Sequence, residues 1–128
     1  MILDWDIHHG NSTYKYLKGH PDVLFISIHR YDDCGFYPGS PLANLDECGE
    51  GKGEGLKIHV PWSMHEKSKK VGTQDYIYMM ERILFPIAKQ FNPDLVIISA
   101  GFDSASGDPL GGMSVDPEGY AYMQTRLN

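Results

Sequence analysis

Two cysteines, Cys34 and Cys48, are all that this chain of 128 residues contains. Both stand in loop-like sequence, so at most one bridge could form. A disulfide-stapled framework is excluded, and a reducing, intracellular setting is expected. Long apolar runs are lacking too. None approaches the ~18–20 residues that cross a bilayer, and no signal-peptide pattern is visible, so a soluble protein with no membrane partner is expected. Positive charge is scarce: Lys and Arg number 11 against 17 Asp and Glu, a formal net charge of −6. Direct nucleic-acid binding needs a basic face and is disfavoured. The one basic run, Lys67, Lys69 and Lys70 in "HEKSKK", fits a solvated loop better than a binding patch or targeting signal. Several chemical motifs are missing as well. "GEGKGEG" does not match G-x-x-x-x-G-K-[ST] and opens no helix, which rejects a phosphate loop. No G-x-S-x-G occurs, Ser99 and Ser104 have no evident base, and the cysteines lack zinc-knuckle spacing.

What is present is an ordinary globular composition, 41% apolar and 22% charged, of a length that suits one domain or a piece of one. Residues 1–7 read as a buried strand, and "STYKYLK" (12–18) as a short helix ended by Gly19 and Pro21. "VLFISIH" (23–29) has the β-rich, continuous apolar character of a central parallel strand. From Arg30 to Gly55 the glycines and prolines predict a long loop, and long loops in compact domains are usually functional. In "LKIHVPW" (56–62), Leu56, Ile58, Val60 and Trp62 share one face, an edge-strand pattern closed by Pro61. Apolar residues at 76, 79, 80, 83, 84, 87, 88 and 91 predict an amphipathic helix over 73–91, kinked at Pro86 or broken there by an irregular turn, with the Met and Tyr residues of 76–80 in the core. "DLVIISAGFD" (94–103) reads as a strand covered on both faces. Asp116-Pro117-Glu118 predicts the start of a last helix running to the end. The sum is an α/β fold: a central parallel sheet flanked by helices, with its site at the carboxyl ends of the strands.

Three strand ends carry polar residues that a packed core does not need. In "ILDWDIHHGN" (2–11), an extended strand would point Asp4, Asp6 and His8 to one side. Two carboxylates so close repel and are costly to bury without a cation, and the histidine completes an oxygen–oxygen–nitrogen set suited to zinc or another divalent metal. The competing view, an exposed and solvated strand end, sits poorly with the flanking Ile2, Leu3, Trp5 and Ile7. The second strand end is "SAGFDSASGDPLGG" (99–112). Asp103 taken alone suits a turn or helix cap; beside the first cluster it becomes a third ligand. Gly101, Gly107, Gly111 and Gly112 would let backbone come close to a bound group. The third is "HRYDDCGFYPGS" (29–40), where Phe36 and Tyr37 between Gly35 and Pro38 make a stiff apolar tip. That tip could line a slot or be an ordinary packed turn. His20, His59 and His65 are expected at the surface or in loops.

"DWDIHHGN", "VLFISIHRYDDCGFYPGS", "FNPDLVIISAGFDSASGDPLGG" and "DPEGY" resemble, in order and spacing, the zinc-dependent histone deacetylases, most closely the class II branch that includes fungal enzymes. The resemblance spans nearly the whole chain and implies the arginase/deacetylase-like fold, with residues 1–128 as the central part of a catalytic domain. It implies zinc (Zn2+) on Asp6, His8 and Asp103, and a structural potassium (K+) around Asp4, Asp6, His8, Ser27 and Ile28. Asp4 and Asn11 match carboxylate or amide partners of active-site histidines, while Tyr37 and Leu110, with Phe36, match residues lining an acetyl-lysine tunnel. Tyr37 replaces the more common Phe, and Ser12 replaces the Gly of "HHGNGT". The family's catalytic histidine pair and its tyrosine have no counterpart in these residues, so the isolated chain is expected to be inactive. The implied function is hydrolysis of N-acetyl-lysine in histone tails or other proteins, in chromatin regulation and transcriptional repression. The implied location is nucleus or cytoplasm, with corepressor subunits as partners. A non-catalytic corepressor module and an acetylpolyamine deacetylase are the alternatives.

Overall fold

The computed structural model describes residues 1–64 and 70–127. His65, Lys67 and Lys69 of the expected basic loop, and Asn128 after the last helix, lie outside the described residues. Four strands form one parallel sheet in the order β3-β2-β1-β4: β1 Ile2–Asp4, β2 Phe25–Arg30, β3 Lys57–Trp62 and β4 Ile97–Ser99. The register aligns Ile58, Ile26, Leu3 and Ile98 in one row and His59, Ser27, Asp4 and Ser99 in the next. Side chains alternate along strands, so these rows face opposite layers.

The apolar row packs against three helices, α2 (Thr73–Met79), α3 (Phe85–Phe91) and α4 (Pro117–Leu127). Tyr76, Met79, Met80, Leu84 and Met123 join Leu3, Trp5, Ile7, Ile26, Ile28 and Val60 in one buried cluster. Leu3 and Ile26 are fully buried, and burial of such a side chain contributes on the order of 1.5–3 kcal/mol. The polar row lies under the helix α1 (Asn11–Leu17), whose buried Tyr14 meets the His9 and His59 rings.

Four expectations need correction. The first strand stops at Asp4 rather than continuing to residue 7. Asp4 Oδ1 accepts the Asp6 N–H at 3.2 Å and Asp6 Oδ1 the His8 N–H at 2.7 Å, so two successive carboxylate turns pull the chain out of the ladder. β3 is the edge strand expected, though it runs through Pro61 to Trp62, and its Lys57 and His59 face is buried, so it is not one-sided and His59 is not at the surface. Lys57 is satisfied by the carbonyls of His20 (3.1 Å) and Val23 (2.8 Å). The segment 94–103 is not covered on both faces by the described residues: β4 is an edge strand of three residues, and Leu95, Ile97 and Phe102 are exposed. An apolar run reports capacity for burial, not the layer that supplies it. The segment 73–91 carries a π-turn at Met80–Leu84 just before Phe85 and Pro86, the irregular turn expected at that proline. Phe85 N–H donates five residues back to Met80 O, a wider turn that accommodates a proline lacking its own donor. The extra residue rotates the apolar stripe, leaving Ile83 partly exposed. Tyr78 is exposed rather than in the core.

The long loop is as expected, three single 3-10 turns at Asp32–Cys34, Pro41–Ala43 and Gly51–Gly53 joined by irregular chain. The last helix starts at Pro117, with Asp116 O accepting the Gly119 N–H at 2.9 Å.

Candidate metal centre

The carboxylate turns after β1 carry Asp6 and His8 to the carboxyl end of the sheet, where the loop after β4 delivers Asp103. Asp103 Oδ1 accepts the Ile7 N–H at 2.8 Å, locking the two segments together, and its Oδ2 lies 3.0 Å from His8 Nδ1. His8 Nδ1 is also 2.9 Å from Asp6 Oδ1. One ligand atom from each of Asp6, His8 and Asp103 lies within 4.8 Å of the other two. The three side chains are 37%, 35% and 26% exposed, partly enclosed yet open to solvent on one side. Two carboxylates and an imidazole so disposed suit a four-coordinate divalent ion with one position free, and zinc takes this donor set. The expected ligands therefore converge, through turns rather than through the pleat of one strand.

Two glycines make the convergence possible. A Cβ on Gly101 would overlap Asp6 Oδ2 and stand 2.6 Å from its Cγ; one on Gly111 would overlap the Asp103 carbonyl and stand 2.8 Å from Ile7 Cδ1. Gly107 and Gly112 serve differently, with φ of +94° and +73° that disfavour side chains.

The 29–40 loop forms a wall of this centre. The Phe36 ring stacks on His8 at 5.3 Å and 14°, and Tyr37 meets His8 edge-on at 5.7 Å. Tyr37 is 74% exposed and Leu110 77%, so both stand at the surface of the described chain. Leu110 is turned by its N–H to Asp108 Oδ1 at 2.9 Å.

Asp4 is 5% exposed, and its carboxyl is pushed up to about 7, first by burial and further by the charges of Asp6 and Asp103, against the Asp6 N–H bond that lowers it. Gly10 packs on it so closely that a Cβ there would overlap Asp4 Oδ2. Asn11 opens α1, its Oδ1 3.4 Å from Ser12 Oγ. Ser27 Oγ accepts the Gly10 N–H at 3.3 Å and lies 2.9 Å from His29 Nδ1, while Ile28 is wholly buried. Ser104 Oγ lies 2.6 Å from the Tyr120 hydroxyl, a structural pair with no imidazole in it.

Sequence reasoning missed a second histidine group. The buried rings of His9, His29 and His59 stand 4.7, 4.6 and 5.8 Å apart by pairs. Burial pushes His9 down to about 3 and His29 and His59 to about 4, so all three are neutral at pH 7. His29 Nε2 reaches Ala43 O at 2.7 Å and His59 Nδ1 Asn44 O at 3.2 Å, which ties the long loop to the sheet. The parallel-strand register sets His59 beside Ser27, two residues from His29, a pairing that no local pattern announces.

An α/β protein with acid–imidazole–acid groups gathered at the carboxyl ends of a parallel sheet is thereby defined, of the kind that carries a catalytic divalent metal. The chain belongs to the histone deacetylase family: the family model described as histone deacetylase domain matches residues 1–128. It is 46% identical over 127 residues to histone deacetylase HDA1 of Candida albicans, covering 99% of this chain and 15% of that protein. With histone deacetylase clr3 of Schizosaccharomyces pombe it shares 45% over 127 residues, 99% of this chain and 18% of the relative. The solved structure of the histone deacetylase Clr3 superposes with a TM-score of 0.94 at 45% identity, over 98% of this chain and 20% of that one. The crystal structure of the HDA15 HD domain superposes at 0.91 and 48%, over 98% and 34%. The fold is thus the arginase/deacetylase fold. The chain spans about a fifth or less of the length of these curated relatives. No described helix is long and apolar enough to cross a membrane.

Proposed function

We propose that residues 1–128 are the central part of the catalytic domain of a zinc-dependent protein-lysine deacetylase. The observation that carries this reading is the Asp6, His8 and Asp103 cluster, whose donors lie within 4.8 Å of one another in a chain of this family. These three side chains would hold the zinc, leaving one position for water and substrate. When bound, zinc supplies Lewis acidity toward the amide carbonyl and the attacking water. The rest of the chain's part is positioning. Ile7 N–H and Gly101 fix the two carboxylates. Phe36 and Tyr37 flank His8 as walls for the acetyl-lysine side chain, with Leu110 at the rim. Asp4 and Asn11 orient the catalytic histidines, which like the tyrosine that stabilises developing charge lie outside these residues. A structural potassium would be held by Asp4, Asp6, His8, Ser27 and Ile28. Substrates would be acetylated histone tails or other acetyl-lysine proteins, and corepressor subunits the partners, in nucleus or cytoplasm.

The test is metal analysis and acetyl-lysine peptide hydrolysis by the full-length protein, wild type beside Asp103→Ala. Wild type is expected to carry one zinc per cluster and to release acetate, and the variant to lose both. Unchanged zinc content in the variant would overturn the ligand assignment; zinc-loaded wild type without turnover would overturn the activity.

A further inference from the structure

Arg30, the last residue of β2, touches every segment that builds the centre. Its backbone N–H donates to Ile7 O at 2.8 Å, within the turn carrying Asp6 and His8. Its Nε and Nη2 donate to Asp32 Oδ2 at 2.7 and 2.6 Å, and its Nη1 to Gly111 O at 2.9 Å. The guanidinium lies over the Phe36 ring, 4.5 Å from its centre, and that ring stacks on His8. Gly111 is the residue packed against the Asp103 carbonyl, and its own N–H is held by Asp108 Oδ1 at 2.7 Å.

The segment Arg30 secures has a backbone that side chains disfavour. Asp32, Asp33 and Cys34 have φ of +48°, +51° and +69°, three consecutive non-glycine residues in the left-handed region. Asp32 is gripped at both oxygens, by Arg30 at Oδ2 and by the Met64 N–H at Oδ1, 2.6 Å. Phe36 follows directly, its N–H on Tyr31 O. A planar fork that stacks on a ring and bonds in two directions at once is a geometry only arginine supplies; a lysine ammonium is a single point charge.

We infer that Arg30 is a positioning residue: it holds Phe36 on His8, so that the slot for an acylated lysine side chain exists before substrate arrives. This rests on the deacetylase reading above. The slot walls contact bound substrate and transition state alike, so their loss raises KM and leaves kcat nearly intact.

The experiment compares full-length wild type with Arg30→Met, Arg30→Lys, Phe36→Leu and the double variant Arg30→Met/Phe36→Leu. Zinc content, thermal melting, kcat and KM on an acetyl-lysine peptide are measured, with the His8 Cε1–H resonance as a readout of the Phe36 ring current. Arg30→Met is expected to keep its zinc, to move the His8 resonance to its Phe36→Leu position, and to raise KM on the order of tenfold with little change in kcat. Arg30→Lys is expected to follow Arg30→Met, and the double variant to be no worse than Phe36→Leu alone. A His8 resonance at its wild-type position, an unchanged KM, or additive losses in the double variant would each overturn the inference. Loss of cooperative melting in both Arg30 variants would assign the residue to the fold and overturn it too. If wild type itself fails to turn over acetyl-lysine, the deacetylase reading falls, while the His8 resonance still decides whether Arg30 places Phe36.

Discussion

Replacing Gly101 with alanine adds one methyl group at the point where two loops meet, and the structure says what that methyl strikes. It would overlap Asp6 Oδ2 and stand 2.6 and 2.7 Å from Asp6 Cγ and Cβ, closer than real Cβ contacts allow. All three near atoms belong to one side chain, so the strain falls on the position of Asp6. Overpacking of this kind costs about 1–3 kcal/mol. Its upper end equals roughly a hundredfold in an equilibrium constant, at about 1.4 kcal/mol per tenfold. Losing even an outer partner of a metal ligand costs about 10–100-fold in affinity, so a displaced ligand is expected to weaken zinc binding by about a hundredfold or more. Competition with a chromophoric chelator on the full-length protein reads the affinity, and thermal melting of the metal-free protein reads stability separately. Gly119→Ala is the comparison: its Cβ stands 3.0 Å from Thr73 Oγ1 and 3.1 Å from Val115 Cγ1, contacts that belong to the helical layer. It is expected to shift melting only. If Gly101→Ala binds zinc as tightly as wild type, the claim that this glycine makes room for Asp6 is wrong.

Asp103→Ala removes a proposed ligand and strands the Ile7 N–H, so zinc affinity should fall by more than about a hundredfold and metal-free stability by about 1–3 kcal/mol, both measurable on one preparation. Ile26→Ala empties a fully buried site at the sheet centre and should cost about 2–5 kcal/mol in urea unfolding; a cost under 1 would contradict the packing described. His59 is neutral in the fold, with a pKa near 4 against 6.5 when unfolded. The unfolded state therefore binds more protons between those values, and the buried ring withdraws stability as pH falls from 6.5 toward 4. His59→Phe should be the less stable variant at pH 7.5, having lost the Asn44 carbonyl bond, and should gain on wild type by up to about 3 kcal/mol by pH 4.5. Comparing the two proteins at each pH cancels the opposite trend of Asp4, whose raised pKa favours the folded state as pH falls. Parallel stability curves for wild type and variant across this range would refute the assignment of a neutral His59.

Local patterns announced most elements because their causes are local. The apolar period of 73–91, the proline within it and the Asp-Pro-Glu start of the last helix each act within a turn or two of chain. The candidate metal group was legible for a similar reason: acids and a histidine at an apolar strand end suit a cation. The burial of His59 was hidden, since it depends on a helix and a loop that pack from elsewhere. So was the exposure of Ile97, an apolar residue with no covering layer among the described residues.

By itself the sequence determined the family, the parallel α/β class and which side chains could bind a cation. The last two follow from residue types at short spacing; the family follows from the resemblance of motifs along the whole chain. Only the tertiary structure decided how they meet. Asp6 and His8 leave the sheet on carboxylate turns, Gly101 and Gly111 supply close approach across loops far apart in the chain, and the Arg30 guanidinium joins the 29–40 loop to the loop after β4. Residue types declare what a group can bind; differences of a few tenths of an ångström in the contacts between distant segments determine whether it does.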